Sequence, residues 1–381
     1  MNRIKKLLIL LNNRRIKRLL TCKIRRIKRQ ISLPVPGAEK PVEAERGKHF
    51  QLWKDLSQRI NYDWLEVYSA VSGKCDYRYV PEDIYYTEIE PRLNNKLYSK
   101  AWTDKNSYDL FLGGRVRMPE VVLKCINGQM YLPDYIPVGS PENYTALPPE
   151  YEGKKLVIKP TMDSGGGKAV RVFSCSASGI VLNPPVEGIE TVARLFGLYG
   201  GNFIVQNYIC QHPYFAHFNE TSLNTVRILT YRSIKDEKIV ILHRLLRAGR
   251  PGSVVDNQAS GGIACAITPD GQLMSFGVDK SGIRHKGTAA IDFSDAGTVP
   301  FMADISHAAL EVASAYRYSR LLGLDFAVNE NGEVILIEVN DSNNEINFFQ
   351  MSSGPLFGAF TEEVASMCSS LPRSFVIDYI I

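Results

Sequence analysis

Between Gly323 and Asp341 the chain reads GLDFAVNENGEVILIEVND, a stretch that restricts the fold more than any other. Leu324 to Val328 and Glu333 to Asn340 are apolar, β-branched-rich runs, and Asn329-Glu330-Asn331-Gly332 between them has the composition of a turn. A hairpin follows, and with it a sheet. Pairing Val328 with Glu333 sets Asp325 opposite Leu336, and alternation along each strand then puts Asp325, Glu338 and Asn340 on one face. Two carboxylates and an amide oxygen are hard ligands that suit Mg²⁺, leaving other positions for water and phosphate oxygens, with Mn²⁺ as the second candidate. The plain alternative is a hairpin with a wet polar side. Against it stands Glu338, because a carboxylate that ends the run Val334 to Ile337 is costly to bury unpaired.

A chain of 381 residues, 45% of them hydrophobic, can bury a large core and divide into two or three units. Its seven cysteines (22, 75, 125, 175, 210, 265 and 368) include no C-x-x-C pair, and no secretory signal is evident, so reduced thiols in a cytoplasmic protein are expected. Charge is strongly local. Twelve Lys and Arg fall before Ile31 with no acid among them, so a whole-chain charge of +5 leaves −7 for the remainder. Ile4, Leu8, Leu11, Ile16, Leu20, Ile24, Ile27 and Ile31 recur mostly every three or four residues, which predicts one helix with an apolar stripe and a basic remainder. Three partners fit residues 1–31: an anionic membrane surface at the inner face of the membrane, the rest of the protein, or nucleic acid. Nucleic acid fits worst, since the stripe is more apolar than phosphate contact requires and lacks interleaved aromatics.

The run PVPGAEKP, Pro34 to Pro41, breaks that helix and reads as a linker. His49 to Val71 then has helical spacing, closed by Ser72-Gly73, and is read as scaffold. From about Ala101 short helices and strands alternate, giving an α+β or α/β pattern. The expected organisation is residues 1–33 as the basic amphipathic helix, 34–100 as linker and helical N-terminal region, 101–155 as the first part of a catalytic unit, and 156–370 as its remainder.

Four further segments carry chemistry. In the first, Leu156 to Pro160 and Ala169 to Phe173 read as strands around a loop holding Ser164, Gly165, Gly166, Gly167 and Lys168. Three glycines let backbone amides approach phosphate oxygens, with Ser164 and Lys168 as donors. It is not a Walker A loop, because Ala169 follows the lysine and a strand rather than a helix comes next. Lys159, between Ile158 and Pro160, is expected to point at an anion. In the second, Asn202 to His212, the backbone around Gln206, Asn207, Tyr208 and Ile209 suits a purine edge. The third places Asn224, Arg227, Arg244 and Arg247 in or beside apolar strands, where arginine either snorkels or clamps phosphate and carboxylate. The fourth, Asp256 to Gly262, brings Asn257 and Gly261-Gly262 into a loop that either approaches a ligand or simply turns.

In order and spacing these segments resemble the ATP-grasp superfamily over about residues 101–360. Asp104-Lys105-Asn106 followed by Arg117-Met118-Pro119 resembles its opening motif, LVIKP with SGGGK its nucleotide lysine and phosphate-covering loop, IVQNYI its adenine hinge, and D-x₁₂-E-x-N its metal triad. Within the superfamily, SLNTVRILT, LLRAGRPGSVVDNQASGGI and GIRHKG look most like the sugar-transfer-associated ATP-grasp family, related to α-L-glutamate ligases and found with polysaccharide biosynthesis genes. His285-Lys286 stands where that family often has His-Pro, and Gln206-Asn207 stands where many hinges carry an acid, which shifts weight to Gln211 and His212.

The resemblance implies an α+β ATP-grasp fold, two subdomains clasping ATP, behind a helical N-terminal region. It implies an ATP-dependent carboxylate–amine ligase working through an acyl phosphate, on small-molecule or glycan substrates in cell-surface polysaccharide biosynthesis. Asp325, Glu338 and Asn340 would hold one or two Mg²⁺, Lys159 would contact the phosphates, and Ser164 to Lys168 would close over them. His212 joins the hinge residues at the nucleotide. Arg227 and Arg247 would steady the γ-phosphate and the acyl-phosphate oxyanion, and Asn257 would shape the acceptor side. Two other readings use the same motifs: a sugar phosphotransferase, and a nucleotide-binding scaffold without turnover.

Overall fold

The computed structural model describes residues 3–31, 43–162, 169–176, 179–252 and 261–372. Two sheets dominate them. The first contains β1 (Val121–Ile126), β2 (Gln129–Tyr131), β3 (Pro137–Gly139), β4 (Lys155–Pro160), β5 (Arg171–Ser176), β6 (Gly179–Asn183) and β7 (Phe203–Asn207), in the spatial order β3-β2-β1-β7-β4-β5-β6. The second contains β8 (Thr225–Arg232), β9 (Ile239–Ala248), β10 (Ile263–Ile267), β11 (Leu273–Val278), β12 (Arg284–His285), β13 (Leu321–Val328) and β14 (Val334–Asn340), in the order β12-β11-β10-β9-β8-β13-β14. Every pairing between these strands is antiparallel. An α+β architecture results.

The second sheet is covered on both faces, which explains why all residues of β8 and β13 are buried. On one face Val226, Ile228, Leu324, Phe326 and Leu336 pack with Ile305, Ala309 and Val312 of the helix Met302–Ala315. On the other, Leu229, Tyr231 and Leu245 join the aromatic-rich N-terminal helices and Ile346, Phe349 and Met351.

The hairpin register differs from the expected one. Val328 pairs with Val334 rather than Glu333, and a bulge at Ile337 then sets Asp325 opposite Glu338 instead of Leu336. Strict alternation would leave Leu336 on the same face as Glu338. One extra residue lets Leu336 and Val339 both enter the core under the helix while Asp325 and Glu338 stay together on the opposite face.

Two helical expectations also change. The segment His49 to Val71 is interrupted: nine residues separate α2 (Glu43–Trp53) from α3 (Asp63–Ser72). Gly73 does close α3, in the left-handed conformation at φ 75° that a C-terminal cap requires. α1 (Arg3–Gln30) is continuous, but its apolar residues do not form one stripe. Ile9, Ile16, Ile24, Ile27 and Ile31 are buried against the protein, whereas Ile4, Leu8 and Leu11 are exposed. The reason is phase: at about 100° per residue, Ile4 lies roughly 140° around the helix from Ile9. Lys28 anchors the docked side through Asp63 at 2.7 Å, and Lys23 through Glu82 at 2.7 Å. Among the described residues no helix is long and apolar enough to cross a membrane.

Candidate functional site

β8, β9 and β13 lie side by side, and alternation gives Arg227, Arg247 and Asp325 one common face. There Arg227 donates to both carboxylate oxygens of Asp325, Nε to Oδ1 at 2.7 Å and Nη2 to Oδ2 at 2.6 Å, and Arg247 Nη1 adds a third bond to Oδ2 at 3.0 Å. The side chain of Asp325 is 3% exposed. Burial alone would raise its pKa, but the two guanidinium charges outweigh that and hold it down at about 2. The arginines expected as phosphate clamps and the aspartate expected as a metal ligand are therefore one buried cluster.

Glu338 faces the cluster from β14 and accepts a bond from Lys105 Nζ at 2.7 Å. Burial opposes its ionisation, yet the charge and hydrogen bond of Lys105 keep its pKa below the ordinary carboxylate value. Lys159, buried on β4, looks toward the same place from the first sheet. Burial first, and the neighbouring charge of Lys105 second, pull its ammonium down to about 7, with Glu338 acting the other way. Lys105 is the functional residue that sequence reasoning left without a role. Its signal was the Asp104-Lys105 pair, and the structure fixes it by capping: Asp104 accepts from the Asn106 amide at 3.0 Å, while Lys105 N and Nζ both donate to Thr161 O, just past β4.

Among the described residues four cations, Lys105, Lys159, Arg227 and Arg247, thus surround the buried carboxylates Asp325 and Glu338, with the half-exposed Glu345 4.0 Å from Arg227 Nη1. Lys159 comes from the first sheet, the arginines from the second and Lys105 from the turn Lys105–Ser107, so an anion placed there would meet donors from both sides. Three oxygen donors fit a hard divalent cation beside that anion. Asp325 has used three of its roughly four lone-pair positions, leaving one on Oδ1; Glu338 has Oε2; and Asn340, paired with Gly323 at the end of the hairpin, adds its amide.

The remaining predicted residues separate into two groups. Gln206 and Asn207 end β7 between β1 and β4, and the Asn207 amide donates to Glu120 O at 2.9 Å while its side-chain nitrogen donates to Glu120 Oε2. Among the described residues the buried Oδ1 of Asn207 has no hydrogen-bond partner. Tyr208 N donates to Lys155 O at 3.2 Å, and Ile209 is half-buried beyond it. These four residues form the crossing from the first sheet to the second. Gln211 and the Nδ1 of His212 bond within the chain. Gln211 donates to Asn219 O and Ser222 O and accepts from Asn224, and His212 Nδ1 accepts from Tyr214 N at 3.2 Å, capping a short turn of helix. His285 bonds Asp279 at 3.0 Å. Ser164, Gly165, Gly166, Gly167, Lys168 and Asn257 lie outside the described residues.

Residues 86–365 match the family model described as sugar-transfer associated ATP-grasp. No curated protein matches. Among solved structures, N5-carboxyaminoimidazole ribonucleotide synthetase from Thermotoga maritima is 11% identical with a TM-score of 0.36, over 74% of this chain and 53% of that one. The biotin carboxylase β-γ-ATP complex from Campylobacter jejuni is 12% identical with a TM-score of 0.39, over 71% and 47%. The ATP-grasp ligase PsnB, complexed with precursor peptide PsnA2 and AMPPNP, is 12% identical with a TM-score of 0.38, over 72% and 62%. The chain spans about half the length of the first two, and at these scores the family match alone carries weight.

Proposed function

The chain belongs to the sugar-transfer associated ATP-grasp family, and from that premise we propose that it is an ATP-dependent carboxylate–amine ligase. The observation that carries this reading is the convergence of Lys159 from the first sheet, Arg227 and Arg247 from the second, and Lys105 from the turn Lys105–Ser107 around the buried carboxylates Asp325 and Glu338. A triphosphate between the sheets would meet these four donors. Lys105 and Lys159 bind phosphate oxygens from the β4 side, and the arginines bind from β8 and β9 while they fix Asp325. The unpaired Oδ1 of Asn207 accepts a hydrogen bond from the exocyclic amine of adenine. Asp325 Oδ1, Glu338 and Asn340 would hold Mg²⁺, which when bound would supply charge neutralisation at the phosphates. By the family resemblance, Ser164 to Lys168 and Asn257, which lie outside the described residues, are the candidates for contacting the phosphates and the acceptor.

In the reaction a carboxylate oxygen of the first substrate takes the γ-phosphoryl group and ADP leaves. The amine nitrogen of the second then attacks the acyl carbon, phosphate departs, and the amine proton is released. Cationic donors stabilise the oxyanion, each worth about 3 kcal/mol of barrier when well placed. The family description supports a link to sugar transfer; our reading takes a sugar acid or glycan carboxylate as the first substrate and an amino acid or amine as the second, in cytoplasmic assembly of surface polysaccharide. ADP release measured against paired panels of sugar acids and amines, with mass spectrometry of the product, tests this. ADP formation that needs both partners and yields an amide supports the ligase, a phosphorylated sugar supports a phosphotransferase, and Glu338→Ala abolishes turnover without unfolding.

A further inference from the structure

α1 carries two apolar faces rather than one. The buried row of Ile9, Ile16, Ile24 and Ile27 docks on the protein. At about 100° per residue, Ile4, Leu7, Leu8 and Leu11 fall in an arc of roughly 100° centred some 160° away from that row. They point outward: Ile4 is 66% exposed, Leu7 55% and Leu11 51%. A helix end with four large apolar side chains in water has no reason to stay so in a monomeric soluble protein.

Charge divides in the same way. Lys17, Lys23 and Lys28 reach back to Ser57, Glu82, Asp63 and Glu66, fastening the helix to the protein. Arg14, Arg18, Arg25, Arg26 and Arg29 are exposed, and Arg18, Arg26 and Arg29 continue the outward face C-terminal to the leucines. The outward surface is thus an apolar wedge followed by a guanidinium row. Arginine forks match phosphate oxygens bidentately, and leucine at a helix end suits the boundary between headgroups and acyl chains.

We infer that the outward face of α1 docks the protein on a bilayer surface bearing anionic lipid, with Ile4, Leu7, Leu8 and Leu11 inserted and the arginines on headgroup phosphates. Charge complementarity selects this occupant. A second copy would oppose one arginine row with another, and nucleic acid would leave the leucines in water. The helix is already held by the protein, so docking costs little ordering. The inference is independent of the ligase reading.

Co-sedimentation of the full chain with phosphatidylcholine vesicles, with and without phosphatidylglycerol, tests it at low and high salt. The chain pellets only with the anionic vesicles and is released by salt. Arg18→Gln and Arg26→Gln each weaken binding about fivefold, Leu7→Gln with Leu11→Gln weakens it by about tenfold or more, and none shifts the urea unfolding midpoint, because all these side chains are exposed. Absence of binding overturns the inference, as does equal binding to neutral vesicles or binding that the substitutions leave unchanged. Tighter binding to a duplex oligonucleotide than to anionic vesicles also overturns it, as does a solution dimer that Leu7→Gln with Leu11→Gln dissolves while vesicles capture nothing.

Discussion

Replacing Asp325 with asparagine removes one negative charge and almost no volume, and it isolates the buried cluster at the centre of the site. Arg227 and Arg247 have side chains 9% and 8% exposed, so without the carboxylate two guanidinium groups lose a buried counter-charge in a poorly hydrated place, and Glu345, 44% exposed and 4.0 Å from Arg227 Nη1, offsets part of the loss. Breaking a buried pair from one side typically costs about 3–5 kcal/mol, because the surviving charge keeps its desolvation penalty. The carboxylate's own titration gives a smaller figure of the same sign. A pKa held at about 2 against an ordinary 3.8 contributes about 2 kcal/mol of stability. That contribution is fully present above the ordinary value and is lost as pH falls through the depressed one. The Asp325→Asn chain should therefore lose about 2–5 kcal/mol in urea unfolding followed by circular dichroism at neutral pH. A nucleotide that brings its own negative charge should recover part of the loss. A loss under about 1 kcal/mol would refute the reasoning, since it would mean that water already solvates the arginines.

Two further outcomes follow from neighbouring groups. Lys159→Met deletes a buried cation beside Lys105, so it should raise the urea midpoint of the nucleotide-free chain while weakening ATP binding by about ten- to hundredfold in calorimetry; weaker folding with unchanged ATP affinity would make Lys159 purely structural. His49 and His243 are buried, and burial lowers both pKa values to about 4 despite bonds to Tyr77 O and Leu356 O. The unfolded chain takes up protons first, so stability present above the ordinary value of 6.5 falls as pH drops, by about 2 kcal/mol per histidine at about pH 5. Unfolding midpoints that stay level from about pH 7 to pH 5 would count against both burials.

Local pattern made the hairpin and its ligand face legible, because period-two alternation and a turn-rich break are properties of the segment itself. Its register was not legible. The bulge at Ile337 exists because Leu336 and Val339 both pack under the helix Met302–Ala315, a residue pair and a helix that no window on the hairpin contains. Arg227 and Arg247 were recognisable as cations in apolar strands, but their shared bond to Asp325 needed β8, β9 and β13 to be adjacent. Lys105 was visible only as half of a dipeptide, and its role comes from Thr161 and Glu338, 56 and 233 residues away. Gln211 looked free to meet a nucleotide; its amide instead organises the turn at Asn219 to Asn224. In α1 the periodicity was real, yet two interleaved apolar rows on one helix cannot be separated until one of them finds something to cover it.

The central claim is that a carboxylate of the substrate becomes an acyl phosphate in this site. The most direct measurement uses a carboxylate substrate labelled with heavy oxygen, paired with its amine and ATP, and reads the label in the products by mass spectrometry. Transfer of one labelled oxygen from the carboxylate to inorganic phosphate is the predicted result. Turnover that leaves the phosphate unlabelled would contradict it.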